Sequence, residues 1–133
     1  MAPRVLALLG CGALSAAKIV GEVGRISRFR SRNALAMHNG TAPIPVWSGN
    51  HERFRLNRGG NRQINCALHR IAVTQMQHPG PAQDYLARRR AAGDTKTEAI
   101  RALRRRISDE IYRRLRADEA STAVRDPGLP AAA

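Results

Sequence analysis

Leu8-Leu9-Gly10-Cys11-Gly12-Ala13-Leu14-Ser15-Ala16-Ala17-Lys18-Ile19-Val20-Gly21-Glu22-Val23-Gly24 is the stretch whose reading decides the fold. A short helix ends at Leu8 or Leu9, Gly10 and Gly12 make a hairpin, and Ala13 to Val23 form a second helix. Gly24 is its expected stop, because glycine takes the left-handed conformation that closes a helix. Two glycines ahead of a helix let backbone amides approach a phosphate, where the helix dipole favours an anion. The stretch therefore predicts a helix-hairpin-helix element over residues 5–24, with Gly10 and Gly12 against a phosphate. An ordinary helical hairpin without a ligand produces the same pattern, so both readings stand. Arg4 followed by Val5 to Leu9 also has the outline of a secretory signal, but the glycines interrupt its apolar core. No apolar run reaches the roughly 20 residues needed to span a membrane.

Moving outward, Arg25 to Arg30 is a basic connector, and Ser31 N-caps a short helix through Met37 that Asn39-Gly40 closes. Pro43 and Pro45 bias Thr41 to Pro45 away from helix. Val46 to Ser48 and Arg53 to Leu56 read as two short strands around Gly49-Asn50. Phe54 and Leu56 alternate with Arg53 and Arg55, so one face packs and the other presents guanidinium groups. A Gly-rich loop, Asn57 to Asn61, leads into a helix from Asn61 to about Gln77, with Ile64, Ala67, Leu68, Ile71 and Met76 at helical spacing. Pro81 starts the next helix, through Ala92, and Gly93 caps it. Thr95-Lys96-Thr97-Glu98 is a capping box for a last helix with Ile100, Leu103, Ile107, Ile111 and Leu115 inward. The fold expected is mainly α: helix-hairpin-helix, then a small β-hairpin, then three further helices. One domain covers residues 1–118, with a serine/arginine centre at 42–62, a helical part at 61–117 and a disordered tail at 119–133.

The charge narrows the function. Net charge is +13 with a pI near 11.6, which implies a polyanionic partner, most often nucleic acid. Only Lys18 and Lys96 among the 23 basic residues are lysines, and arginine makes bidentate phosphate contacts that lysine does not. A GC-rich genome produces the same arginine excess. Between Val23 and Gln83 the only acid is Glu52, while the same span holds nine arginines and all four histidines. The centre of the chain thus carries the field. From Asp84 onward acids interleave with arginines as on a solvated helix face. Cys11 and Cys66 have no metal-site spacing and read as packing residues in a reducing compartment.

Within that centre, Ser48 sits beside Gly49 in an expected turn, with Arg53, Arg55, Arg58 and Arg62 following. A serine on a Gly-Asn turn among guanidinium groups suits attack on a phosphodiester; it is also what ordinary turns use. A nucleophilic serine needs a base or a metal to activate it, and His51 lies three residues on. No paired-carboxylate site, phosphate-binding GxxxxGK[ST] loop or HExxH motif is present, so no metal site is expected in this chain.

Five motifs occur in order: the Gly-Cys-Gly hairpin, Glu22 to Phe29, His38-Asn39-Gly40-Thr41-Ala42-Pro43, Trp47-Ser48-Gly49 and Arg58-Gly59-Gly60-Asn61-Arg62. Together they resemble the C-terminal transposase domain of the bacterial DEDD-type insertion-sequence transposases of the 110/116/902 group, from about Leu8 to Leu115. The resemblance implies DNA transposition and recombination, with Ser48 matching a serine that attacks DNA and becomes linked to it. Arg53, Arg55, Arg58, Gly60, Asn61 and Arg62, with Gly10 and Gly12, are the expected DNA-binding residues. It further implies a guide RNA, a homo-oligomer at full length, and a cytoplasmic, nucleoid-associated place with no membrane. A divalent metal (Mg) is expected only with an acidic RuvC-like domain that this sequence lacks, which points to a truncated or split gene product. The alternative is a non-catalytic nucleic-acid-binding module left from such a transposase, and a third option is a basic protein binding structured RNA.

Overall fold

The computed structural model describes residues 2–42, 44–48, 51–55 and 60–125, with side chains described for 2–42 and 60–124. Among the described residues there are six α-helices: α1 (Pro3–Leu6), α2 (Ala13–Val23), α3 (Arg32–Asn39), α4 (Arg62–Met76), α5 (Pro81–Ala91) and α6 (Lys96–Arg125). A 3-10 turn at Ile26–Arg28 links α2 to α3. Between α3 and α4, β1 (Ile44–Ser48) and β2 (His51–Arg55) pair antiparallel, from Ile44 opposite Arg55 to Ser48 opposite His51.

Local chemistry sets the helix ends. Ser31 Oγ accepts from the Ala34 amide at 3.1 Å and starts α3. Asn61 Oδ1 accepts from the Ile64 amide at 3.0 Å and starts α4. The Thr95 capping box closes both ways: Thr95 Oγ1 accepts from the Glu98 amide at 3.2 Å, and the Thr95 amide donates to Glu98 Oε1 at 3.1 Å. Gly24 and Gly40 end α2 and α3 with φ of 65° and 82°, conformations that side chains resist.

The 30-residue α6 is the spine. Its Leu103, Ile107, Ile111 and Leu115, spaced by four, are all buried against Ile64, Leu68 and Ile71 of α4 and Leu35 of α3. Ala16, Ile19 and Val23 bring α2 onto α4. Each fully buried Leu or Ile contributes about 1.5–3 kcal/mol relative to exposure, so a charge at Ile111 would undo the central contact.

The expected fold needs correction in two respects. The body is helical throughout, and the β-hairpin expected as one of its structural components is not one. Pairing of Ile44–Ser48 with Arg55–His51 makes only a two-stranded ribbon of backbone, and such a ribbon builds no layer. The expected alternation of Phe54 and Leu56 with Arg53 and Arg55 falls on side chains outside the described residues. The second concerns the end of the first helix, which stops at Leu6 and not at Leu8 or Leu9. That helix is a single turn of four residues, Pro3–Leu6, too short to nucleate alone. That turn is held from α6: the Arg4 amide reaches both Asp118 carboxylate oxygens at 3.3 Å, and Arg4 Nη1 donates to Asp118 Oδ1 at 3.0 Å. A distant carboxylate thus caps α1, and Arg114 Nη1 donates to the Arg4 carbonyl at 2.6 Å. Helix α6 also runs on through Arg125, into the segment expected as a tail; residues 126–133 lie outside the described residues.

Candidate nucleic-acid interface

The ribbon carrying Ser48 is rooted in a buried polar junction between α3, α4 and α6. Asn39, with no exposed surface, donates from Nδ2 to Ser108 Oγ at 2.8 Å. Its Oδ1 accepts from the Thr41 amide at 3.0 Å and from Thr41 Oγ1 at 2.6 Å. Asn65 Nδ2 donates to the Asn39 carbonyl at 3.0 Å, and the Asn61 amide donates to the His38 carbonyl at 2.7 Å. Ala42 and Gly60, the described residues before and after the ribbon segment in sequence, both lie at this junction. Gly60 lies so close to Gly40 that a Cβ there would stand 2.2 Å from the Gly40 nitrogen. Arg104 sits beside this junction, donating from Nη1 to Asn65 Oδ1 at 3.2 Å. Burial, and then the neighbouring Arg101 charge, pull its pKa below the usual arginine value. His38 Nε2 and Arg104 Nε are buried without a hydrogen-bond partner. The motif His38-Asn39-Gly40-Thr41 and the step Gly60-Asn61 thus take part in this junction.

At the ribbon's far end Ser48 is the last residue of β1, and the register pairs its Cα with His51. Arg53 pairs with Val46, and Arg55 with Ile44. The side chains of Ser48, Arg53 and Arg55, and all of Gly49, Asn50 and Arg58, lie outside the described residues. Asn61 uses its carboxamide twice, as the α4 cap and as a 3.0 Å donor to Glu22 Oε2. Arg62 is exposed at the first position of α4.

Gly10 and Gly12 are elsewhere. Gly10, at φ 88°, packs so closely on α4 that a Cβ would lie 2.9 Å from the Ile71 carbonyl oxygen. Gly12 stands open at the start of α2. Ten residues of α4 separate Asn61 from Ile71, about 15 Å at 1.5 Å per residue. The hairpin glycines and the Gly60-Asn61-Arg62 group are thus at opposite ends of the α2–α4 layer, not in one site.

Three acids of the C-terminal half, Asp94, Asp109 and Glu110, are spent on neighbouring arginines. Asp109 pairs with Arg105 at 3.0 Å, Glu110 with Arg114 at 2.8 Å and with Arg113, and Asp94 with Arg89 at 2.6 Å. Donation from Arg113 chiefly, with a further bond from Arg114, holds the Glu110 carboxyl below the usual carboxylate range against a smaller opposing effect of burial. Sequence reasoning missed Asn39 and Ser108, because their partnership spans 69 positions, and it passed over Arg32, Arg106 and Arg116. The last two had a legible signal, a spacing of ten residues on one helix face.

No helix among the described residues is long and apolar enough to cross a membrane. Among the described residues no three His, Cys, Asp or Glu side chains converge.

Residues 2–87 match the model of the Transposase IS116/IS110/IS902 family. The insertion element IS116 uncharacterized 44.8 kDa protein of Streptomyces clavuligerus is 33% identical over 108 residues, covering 80% of this chain and 27% of that protein. The insertion element IS110 uncharacterized 43.6 kDa protein of Streptomyces coelicolor is 34% identical over 110 residues, covering 81% of this chain and 27% of that protein. The chain spans about a quarter of the length of these curated relatives.

Proposed function

From the premise that the chain belongs to the IS116/IS110/IS902 transposase family, we propose that it is a DNA-binding and strand-transfer part of an insertion-sequence transposase, with Ser48 as the nucleophile. The observation that carries this reading is the placement of Ser48. It ends a strand opposite His51, in a segment flanked in sequence by residues of one buried junction, Asn39 to Ala42 and Gly60 to Asn61. A nucleophile needs such anchoring, since a displacement of about 1 Å costs on the order of a hundredfold in rate.

In the proposed step the Ser48 oxygen forms a bond to phosphorus as one bridging P–O bond of the DNA breaks. The displaced DNA oxygen departs and takes a proton, and the serine proton passes to a general base. His51 is the residue whose register suits that role. No step is routed through a metal held by this chain. Arg53, Arg55, Arg58 and Arg62 hold the scissile phosphate in this reading, and an acidic domain, a guide RNA and further copies of the chain act with it at the nucleoid, in the cytoplasm.

The test supplies the acidic domain in trans and looks for a covalent DNA–protein adduct. Ser48→Ala is expected to abolish it, and an adduct that survives the substitution sinks the assignment. A second reading, a non-catalytic nucleic-acid-binding module, is favoured by the net charge of +13, which needs no serine. It expects salt-sensitive binding and no adduct from the wild-type chain.

A further inference from the structure

Three exposed arginines collect where the start of α3 meets the middle of α6: Arg32, Arg106 and Arg116, beside the half-buried Tyr112. Arg106, Asp109, Arg113 and Arg116 follow the i, i+3, i+7, i+10 spacing of one helix face. That face runs about 15 Å at 1.5 Å per residue. Its acids are already taken, Asp109 by Arg105 and Glu110 by Arg113 and Arg114. Arg32, Arg106 and Arg116 have no acid partner among the described residues, so their field is not cancelled locally.

Rings hold two of these guanidinium groups in place. Arg106 Cζ lies 4.6 Å from the Tyr85 centroid, and Arg116 Cζ lies 5.7 Å from that of Tyr112. Arg116 Nη1 also donates to the Tyr112 hydroxyl at 3.1 Å. A guanidinium stacked on a ring keeps most of its N–H edge for an outside acceptor and loses little entropy on binding.

We infer that the face formed by Arg32, Arg106 and Arg116 is a second DNA surface, which grips the phosphate backbone of a duplex away from the serine ribbon. It rests on the DNA-binding reading above. Two observations select a duplex. The span of about 15 Å matches the rise of about four phosphates on one strand at 3.4 Å each. One face of each tyrosine ring is already taken by an arginine, which leaves less ring for the unstacked bases by which single strands and RNA loops are held. The surface is also separate from the ribbon: Arg32 and Asn39, which anchors the ribbon, lie at opposite ends of α3, about 10 Å apart along its axis.

The experiment measures binding of the full chain to a short random-sequence DNA duplex across a salt series. Replacing Arg32, Arg106 and Arg116 together by Gln is expected to lower the slope of log affinity against log salt by about 2.7, from about 0.9 per phosphate contact. The triple Lys variant is expected to keep the slope. Should the triple Gln variant lose its helical signal, the three single variants carry the test, with a slope loss of about 0.9 each. A folded Gln variant with the wild-type slope overturns the surface, as does a slope loss seen on duplex RNA and not on DNA. A wild-type chain that does not bind the duplex at all instead overturns the DNA-binding reading on which the surface rests.

Discussion

Replacing Asn39 by Ala tests the junction that carries the ribbon. The carboxamide has no exposed surface and three partners: Ser108 Oγ, the Thr41 amide and Thr41 Oγ1. The Thr41 amide retains a second acceptor, the Ala36 carbonyl at 3.0 Å, so its loss is partial. The two hydroxyls lose their bonds in a buried place, at about 1–3 kcal/mol each. Removing the amide group adds a small cavity, and rotation of the hydroxyls toward helix carbonyls recovers part of the cost. The expected destabilisation is about 3 kcal/mol, a large share of the roughly 5–15 kcal/mol that holds a domain. In urea the midpoint falls by about 1.5 M if m is about 2 kcal/mol/M. The double-mutant cycle is the sharper assay. Ser108→Ala alone leaves Asn39 Nδ2 unpaired and costs about 1–2 kcal/mol. The Asn39→Ala/Ser108→Ala pair then costs less than the sum by at least about 0.5 kcal/mol. A loss below about 1 kcal/mol for Asn39→Ala, or additive single effects, refutes the junction as described.

Gly60→Ala places a Cβ 2.2 Å from the Gly40 nitrogen and 2.5 Å from the Asn39 carbonyl carbon, all backbone that has no rotamer to yield. A loss of about 3 kcal/mol or more is expected by thermal melting. Gly12→Ala, with nothing within 4 Å of its Cβ, is expected to stay within about 1 kcal/mol of wild type; equal effects at the two glycines contradict the packing. Glu110 supplies a pH test. Its carboxyl is held below the usual range in the folded chain, chiefly by Arg113, so the stability it contributes is present above the ordinary carboxylate pKa and drains away as pH falls through the depressed value. Glu110→Gln is therefore expected to melt lower than wild type near neutral pH and to converge with it in acid. A gap that stays constant with pH rules out the linkage.

Several elements could be read directly from the chain because their causes are local. The expected α2 over Ala13 to Val23, the Ser31 cap, the Pro81 start and the Thr95-Glu98 box all depend on residues within four positions of one another. The spacing by four of Leu103, Ile107, Ile111 and Leu115 likewise marks one face whatever that face meets. The charge asymmetry, and with it a polyanionic partner, needs no fold at all.

Tertiary structure decided what those faces meet. Asp118 caps the single turn of α1 from 114 positions away and docks it on α6. Asn39 and Ser108 find each other across 69 positions, and Gly40 and Gly60, on either side of the Ser48 segment in sequence, pack backbone to backbone. Among the described residues Arg105, Arg113 and Arg114 are matched by acids while Arg32, Arg106 and Arg116 are not. The physical reason is range. Caps, turns and helical periodicity are settled within one or two turns of backbone, whereas hydrogen bonds between distant segments form only after the apolar faces have packed. Net charge is fixed by composition, but which charges remain uncancelled depends on that packing.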